Sequence, residues 1–125
     1  MHDSAHGSVG VTHVHGTLVV TVTSDLGEGV LDAVRKAALE GAHREGTSRV
    51  VLDLTAVPFI DLAEFDAIRR IARSIELVGA TTTLVGLRPG IIMHLVESGA
   101  DTAGIRATLG LAEALGGATG TSPDA

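Results

Sequence analysis

Cysteine, tryptophan and tyrosine are all absent from the 125 residues, and Phe59 and Phe65 are the only aromatic side chains. Without cysteine there can be no disulfides, thiolate nucleophiles, Cys-ligated zinc or iron–sulfur clusters. Without more aromatics there is no platform on which bases or sugar rings would stack. Cations are scarce as well: 9 Lys and Arg stand against 15 Asp and Glu, a formal charge of −6. Sequence-independent affinity for DNA or RNA comes from neutralising phosphates with such cations, so no nucleic-acid partner is expected. No apolar run approaches the ~18 residues of a membrane span. Residues 1–7 lack the basic and apolar regions of a secretory signal. The expected location is the cytoplasm, with no membrane partner.

Hydrophobic residues make up 45% of the chain, almost all Val, Leu, Ile and Ala, and charged residues 19%, enough apolar surface to exclude disorder for the bulk of it. The length suits one domain. Residues 1–8 and 116–125 read as flexible tails, because their small and polar side chains bury too little, which leaves a folded unit over 9–115. No repeat at a period of ~20 residues or more is present, which excludes solenoids and propellers.

Two β-rich runs, Val11–His15 and Thr17–Val22, bracket Gly16 and read as a hairpin with Leu18, Val20 and Val22 on one face. Val30, Val34, Ala37, Ala38 and Ala42 recur at helical spacing over Val30–Arg44, and Gly46 stands where that helix would stop. Arg49–Leu54 is apolar almost without alternation, as a central strand covered on both faces would be. A second helix starts after Asp61, with Asp61 and Glu64 spaced as a capping box and a buried stripe of Leu62, Phe65, Ile68, Ile71, Ala72, Ile75 and Val78 closed by Gly79. Thr81–Val85 is a further strand, followed by a third helix with Pro89 at its first position and Gly99 beyond its end. A last strand near Ile105–Thr108 and a helix over Leu109–Leu115 complete the order ββαβαβαβα. The expected fold is α/β: a mixed, mainly parallel sheet after an N-terminal hairpin, with about four helices.

Few residues carry the marks of chemistry. His13 and His15 at i, i+2 on a strand would share a face and could share a metal, but no third ligand is near and two partly exposed strand histidines are the plainer reading. Gly27-Glu28-Gly29 before a helix has part of a phosphate-binding turn, yet it lacks a third glycine and a following Lys-Ser/Thr, and reads as a loop that needs glycine dihedrals. Asp61 and Glu64 are occupied as caps, and Asp66 is placed to pair with Arg70 at i, i+4. No Gly-x-Ser-x-Gly elbow is present. No catalytic residue, metal or cofactor is therefore expected. Arg69, Arg70 and Arg73 form either a solvated helix face or a docking face for an acidic partner, and His94, beside Met93 and Leu95, is either an interface residue or, more plainly, an ordinary helix-surface one.

The segment Val50-Val51-Leu52-Asp53-Leu54-Thr55-Ala56-Val57-Pro58-Phe59-Ile60-Asp61 resembles the central strand of a STAS domain, the sulphate-transporter and anti-sigma-factor-antagonist family, and its run into the regulatory helix. Leu77-Val78-Gly79-Ala80, Gly86-Leu87-Arg88-Pro89, Leu95-Val96-Glu97-Ser98-Gly99 and Thr108–Leu115 are similar to the stressosome branch, of RsbS and RsbR type. The resemblance implies a non-enzymatic switch or scaffold for stress or sigma-factor signalling. Such a protein binds a serine/threonine kinase or anti-sigma partner, or packs with other STAS domains as a homo- or hetero-oligomer. It also implies a phosphorylated Ser or Thr immediately after the Asp that starts the second helix. Here that residue is Leu62, which has no hydroxyl, and Glu64 stands where many simple antagonists have glycine.

Either Leu62 holds the protein in a state like the unphosphorylated, partner-binding form, or signalling enters elsewhere, with Thr55, Ser74, Thr81 and Ser98 as hydroxyl-bearing alternatives. The expected partner-binding residues are Phe59, Ile60, Asp61, Leu62, Ala63, Glu64 and Phe65. The alternative function is a module binding a small anion or nucleotide in a cleft by the second helix's N-terminus.

Overall fold

The computed structural model describes residues 7–44, 46–108 and 115. Its elements are β1 (Val9–Val14), β2 (Thr17–Val22), α1 (Glu28–Ala42), β3 (Arg49–Asp53), α2 (Leu62–Leu77), β4 (Thr81–Val85), α3 (Pro89–Glu97) and β5 (Arg106–Thr108). Apart from Leu115, the expected last helix lies outside the described residues, as do the expected tails beyond Gly7 and Ser8. Ser8 is already tied to the sheet, since its carbonyl accepts from the Thr23 N–H at 2.9 Å and from the Thr23 hydroxyl at 3.3 Å.

The five strands lie in sequence order, β1-β2-β3-β4-β5, and only β1 is antiparallel. β3 is central, as its unbroken apolar run predicts. The β1–β2 turn is His15-Gly16, both at positive φ (46° and 80°), the signature of a two-residue primed turn matched to the twist of a hairpin. This corrects the paired-histidine reading. His15 is a turn residue rather than a strand neighbour of His13, so the two do not share a face.

Side chains at alternate strand positions separate into two layers. Leu18, Val20, Val22, Val50, Leu52 and Leu84 are buried in the main core, joined by Val34 and Ala38 of α1, Phe65, Ile68, Ile71 and Ile75 of α2, and Ile91 and Leu95 of α3. Val19, Val51 and Val85 point to the other face, where Leu115 packs against them. Burial on both faces explains why β3 reads without alternation. α2 follows its predicted stripe except at its ends, where Leu62 and Val78 are exposed.

Two glycine positions show opposite constraints. Gly86 has φ +87°, and a Cβ there would collide with the Thr55 hydroxyl and stand 2.7 Å from its backbone N. Gly29, by contrast, has ordinary helical φ and open space around it, and Gly27 is extended at φ −69°, so the expectation that this pair needs glycine dihedrals is corrected. Gly86→Ala is expected to cost about 2–4 kcal/mol in urea denaturation, whereas Gly29→Ala should gain about 0.5–1 kcal/mol. The hydroxyl of Thr82, buried among the core side chains, has no partner among the described residues. Thr82→Val should therefore stabilise the fold by about 1 kcal/mol in the same measurement.

Candidate functional site

β3 delivers the chain to the site at its C-terminal end. The Asp53 carboxylate accepts from the Thr55 N–H at 3.0 Å and from the Thr55 hydroxyl at 2.6 Å, which turns the chain out of the sheet. The Leu54 N–H donates to the Val85 carbonyl at 2.8 Å, holding the first residue of that turn against the end of β4. Val57 and Ile60 are then buried as anchors, and Pro58 and Phe59 are left outside.

At Asp61 the loop meets α2. Asp61 Oδ1 accepts from the Glu64 N–H at 2.7 Å, and Glu64 Oε1 accepts from the Asp61 N–H at 3.0 Å, so the predicted capping box is complete. Two otherwise unsatisfied donors at the helix start are thereby paired. Leu62, the first residue of the helix, is 40% exposed, and Ala63 is exposed beside it.

The predicted partner-binding set divides accordingly. Phe59, Asp61, Leu62 and Ala63 are at the surface and Glu64 is half-buried, whereas Ile60 and Phe65 are core residues at 0% and 3% exposure. The last two are corrected from docking residues to supports, because an amphipathic helix start must turn its inward residues to the sheet. Phe59, half exposed, packs on His94 of α3 with ring centroids 5.0 Å apart and planes tilted by 52°. Ile92, Met93 and Val96 are exposed on the same helix.

The sequence reading touched that α3 surface only at His94 and did not single out Ile92, Met93 or Val96. The available signal was Pro89–Glu97 itself, in which Ile91 and Leu95 suffice for the core and the remaining apolar residues have nothing to bury against. Ile92 and Val96 instead line a cleft of about 270 Å³ with Phe65, Leu87 and Ile105.

On the other side of α2, a groove of about 680 Å³ runs between the N-terminal halves of α1 and α2. Glu28, Asp32, Asp61 and Glu64 line it, together with Arg35 and Arg70. Arg35 is bound to Asp32 at 3.0 Å, and Arg70 to Asp66 at 2.8 Å. With four carboxylates present and both cations already paired, the groove opposes a phosphate or nucleotide.

Two of the three clustered arginines are similarly occupied. Asp66 binds Arg69 and Arg70, each at 2.8 Å, and Asp101 stands 3.8 Å from Arg69. The Arg69 hydrogen bond, aided by the charges of Arg70 and Arg69, holds the Asp66 carboxyl below the usual carboxylate range, and Asp66 in turn raises Arg69. Of the alternative hydroxyls, Thr55 is held by Asp53 and Ser74 donates to the Arg70 carbonyl at 3.1 Å. Thr81 is half-buried, and Ser98 is exposed at the C-cap of α3. His13 Nδ1 lies 3.4 Å from the Arg44 guanidinium, and no group of three or more metal-ligating side chains occurs among the described residues.

The STAS domain family matches residues 8–114. This chain belongs to that family. Its relatives include two RsbT co-antagonist proteins of Bacillus subtilis (strain 168). RsbRA is 29% identical over 84 residues, covering 67% of this chain and 29% of the relative. RsbRB is 24% identical over 105 residues, covering 84% and 38%. The chain thus spans about a third of the length of these curated relatives. Among solved structures, a serine-to-glutamate variant of RsbS from Moorella thermoacetica superposes with a TM-score of 0.72 at 24% identity, over 86% of this chain and 91% of that one, which shows a shared fold. The predicted α/β STAS architecture and the resemblance to RsbS and RsbR agree with these matches. No helix among the described residues is long and apolar enough to cross a membrane.

The capping box fixes where Leu62 stands, so its loss is measurable apart from any partner. Asp61→Ala is expected to cost about 1 kcal/mol in urea denaturation, and Asp61→Ser to recover most of it. Equal stability of all three proteins would remove the box from the forces that place the site.

Proposed function

We propose that this STAS domain is a non-enzymatic regulatory docking protein of the cytoplasm, acting in stress or sigma-factor signalling as a stressosome-type scaffold or anti-sigma-factor antagonist. Its partners are a serine/threonine kinase or anti-sigma factor and other STAS domains. The names of RsbRA and RsbRB, co-antagonists of RsbT, support a partner of that kind. The observation that carries the reading is Leu62, an exposed apolar residue immediately after the N-cap aspartate, where the family resemblance leads one to expect a phosphorylated hydroxyl.

A leucine there cannot gain the charge of about −1.5 to −2 that phosphorylation would add. The docking face would then stay in one electrostatic state. Exposed apolar groups at Phe59, Leu62 and the outer side of α3 suit a partner that buries them, and two apolar residues on a well-fixed helix start make efficient anchors. The acidic groove argues against the anion-binding alternative, and the paired Arg69 and Arg70 argue against a purely basic docking face.

Size-exclusion chromatography with light scattering checks this, with refractive-index detection because the chain has no Trp or Tyr. Mixed with the kinase and STAS proteins encoded beside it, the protein should elute in a stoichiometric complex. Phe59→Asp and Leu62→Asp should each weaken kinase binding about tenfold or more. Leu77→Asp, at an 87% exposed position at the opposite end of α2, should leave binding unchanged. Unchanged affinity in Leu62→Asp would place the docking face elsewhere.

A further inference from the structure

We infer that the open edge of β1 is a self-association strand, by which two copies of this chain pair β1 to β1, antiparallel, about a two-fold axis at Val11. This surface is separate from the docking face at α2 and does not depend on the kinase reading.

β1 pairs with β2 alone, in unbroken register from Val9↔Val22 to Val14↔Thr17. The two-residue turn makes Val14↔Thr17 a hydrogen-bonded pair, so Gly10, Thr12 and Val14 turn their N–H and C=O groups toward β2. The bond from the Thr23 N–H to the Ser8 carbonyl keeps the same alternation. Val9, Val11 and His13 therefore turn their backbone groups outward.

Edge strands of this kind are normally blunted by lysine, proline, a bulge or shortness. β1 runs six residues, Val-Gly-Val-Thr-His-Val, with no proline, no bulge and no Asp, Glu, Lys or Arg. The opposite edge, β5, is three residues long and carries Arg106. In a chain of charge −6, a neutral edge is where two copies meet with least repulsion.

A two-fold axis at Val11 places Val11 opposite its twin and Val9 opposite His13 of the second copy. These three residues carry the outward groups, so their pairing forms about six backbone hydrogen bonds. The side chains of Val9, Val11 and His13 lie on the helix face, because their β2 partners Val22, Val20 and Leu18 belong to the main core. Val11 is 51% exposed there, with nothing among the described residues to cover it.

Beside it, Val9 and Val11 line a hollow of about 280 Å³ against α1, whose rim carries Lys36 and Glu40. One cation and one anion on a self-facing rim are complementary under two-fold rotation, Lys36 of each copy answering Glu40 of the other. The intramolecular bond from Lys36 to Asp32, 3.5 Å between two half-exposed groups, is weak enough to be shared.

Sedimentation equilibrium on the full chain, from roughly 1 to 100 µM, is expected to show a reversible shift from one-chain to two-chain mass. Val11→Pro removes an outward N–H and leaves the β1–β2 ladder intact, and Val11→Lys places a charge at the axis. Each should give one-chain mass throughout, with unchanged circular dichroism and melting; if the proline variant fails to fold, the lysine variant decides. Lys36→Glu should weaken pairing several-fold, and the double variant Lys36→Glu/Glu40→Lys should restore it. A wild-type chain that stays single at the highest concentration would overturn the inference. So would an oligomer that both Val11 variants leave intact, or an edge that binds only a different STAS protein.

Discussion

The approach of Thr55 to Gly86 governs the functional end of the molecule. Two parallel strands, β3 and β4, must release their chains side by side, and the first residues of both exits occupy the same small space. Thr55 can lie there because Gly86 has no Cβ and because Asp53 ties down both its N–H and its hydroxyl. The same contact sets the direction of both loops. One runs to the capping box and Leu62, the other to Pro89 and the start of α3, which brings Phe59 and His94 together. The surface where the starts of two helices meet thus rests on one backbone crossing beneath it.

Much of this was legible in the sequence wherever one local signal dominates. The 3.6-residue stripe of α2, the Asp61–Glu64 spacing and Pro89 at a helix start each determine structure without reference to anything distant. The alternation of strand and helix implied a mixed sheet with parallel crossovers, whereas the spatial order β1-β2-β3-β4-β5 comes from the structure. Surface and core were harder to separate at element ends: Leu62 and Val78 continue the stripe of α2 in sequence, but the sheet does not extend far enough to cover them. Ile60 and Phe65 flank the docking residues and belong to the core instead, a distinction that depends on where the loop enters the helix. His15 looked like strand because histidine tolerates both conformations, and its positive φ is decided by the two-residue turn.

Leu62 is the first residue of a firmly held helix start. Its surroundings retain the machinery that positions a helix start, with a complete capping box and buried anchors on either side. The group presented at that point is an exposed leucine, which has no hydroxyl. Of the nearby arginines, Arg69 and Arg70 are engaged by Asp66 and Arg35 by Asp32, while Arg88 donates to the Thr55 carbonyl at 3.5 Å.

The order of the strands bears on how the sheet is built as the chain emerges. Each strand lies beside the one made just before it, so no strand has to be inserted between two that have already paired. The hairpin forms from adjacent residues, and each later crossover adds its strand to the edge left open by the last. That order is compatible with growth from β1 toward β5 in step with synthesis. Each added strand covers the edge exposed before it, so the growing side is never the same edge for long. The side from which such growth begins, the outer edge of β1, is left without a neighbouring strand among the described residues.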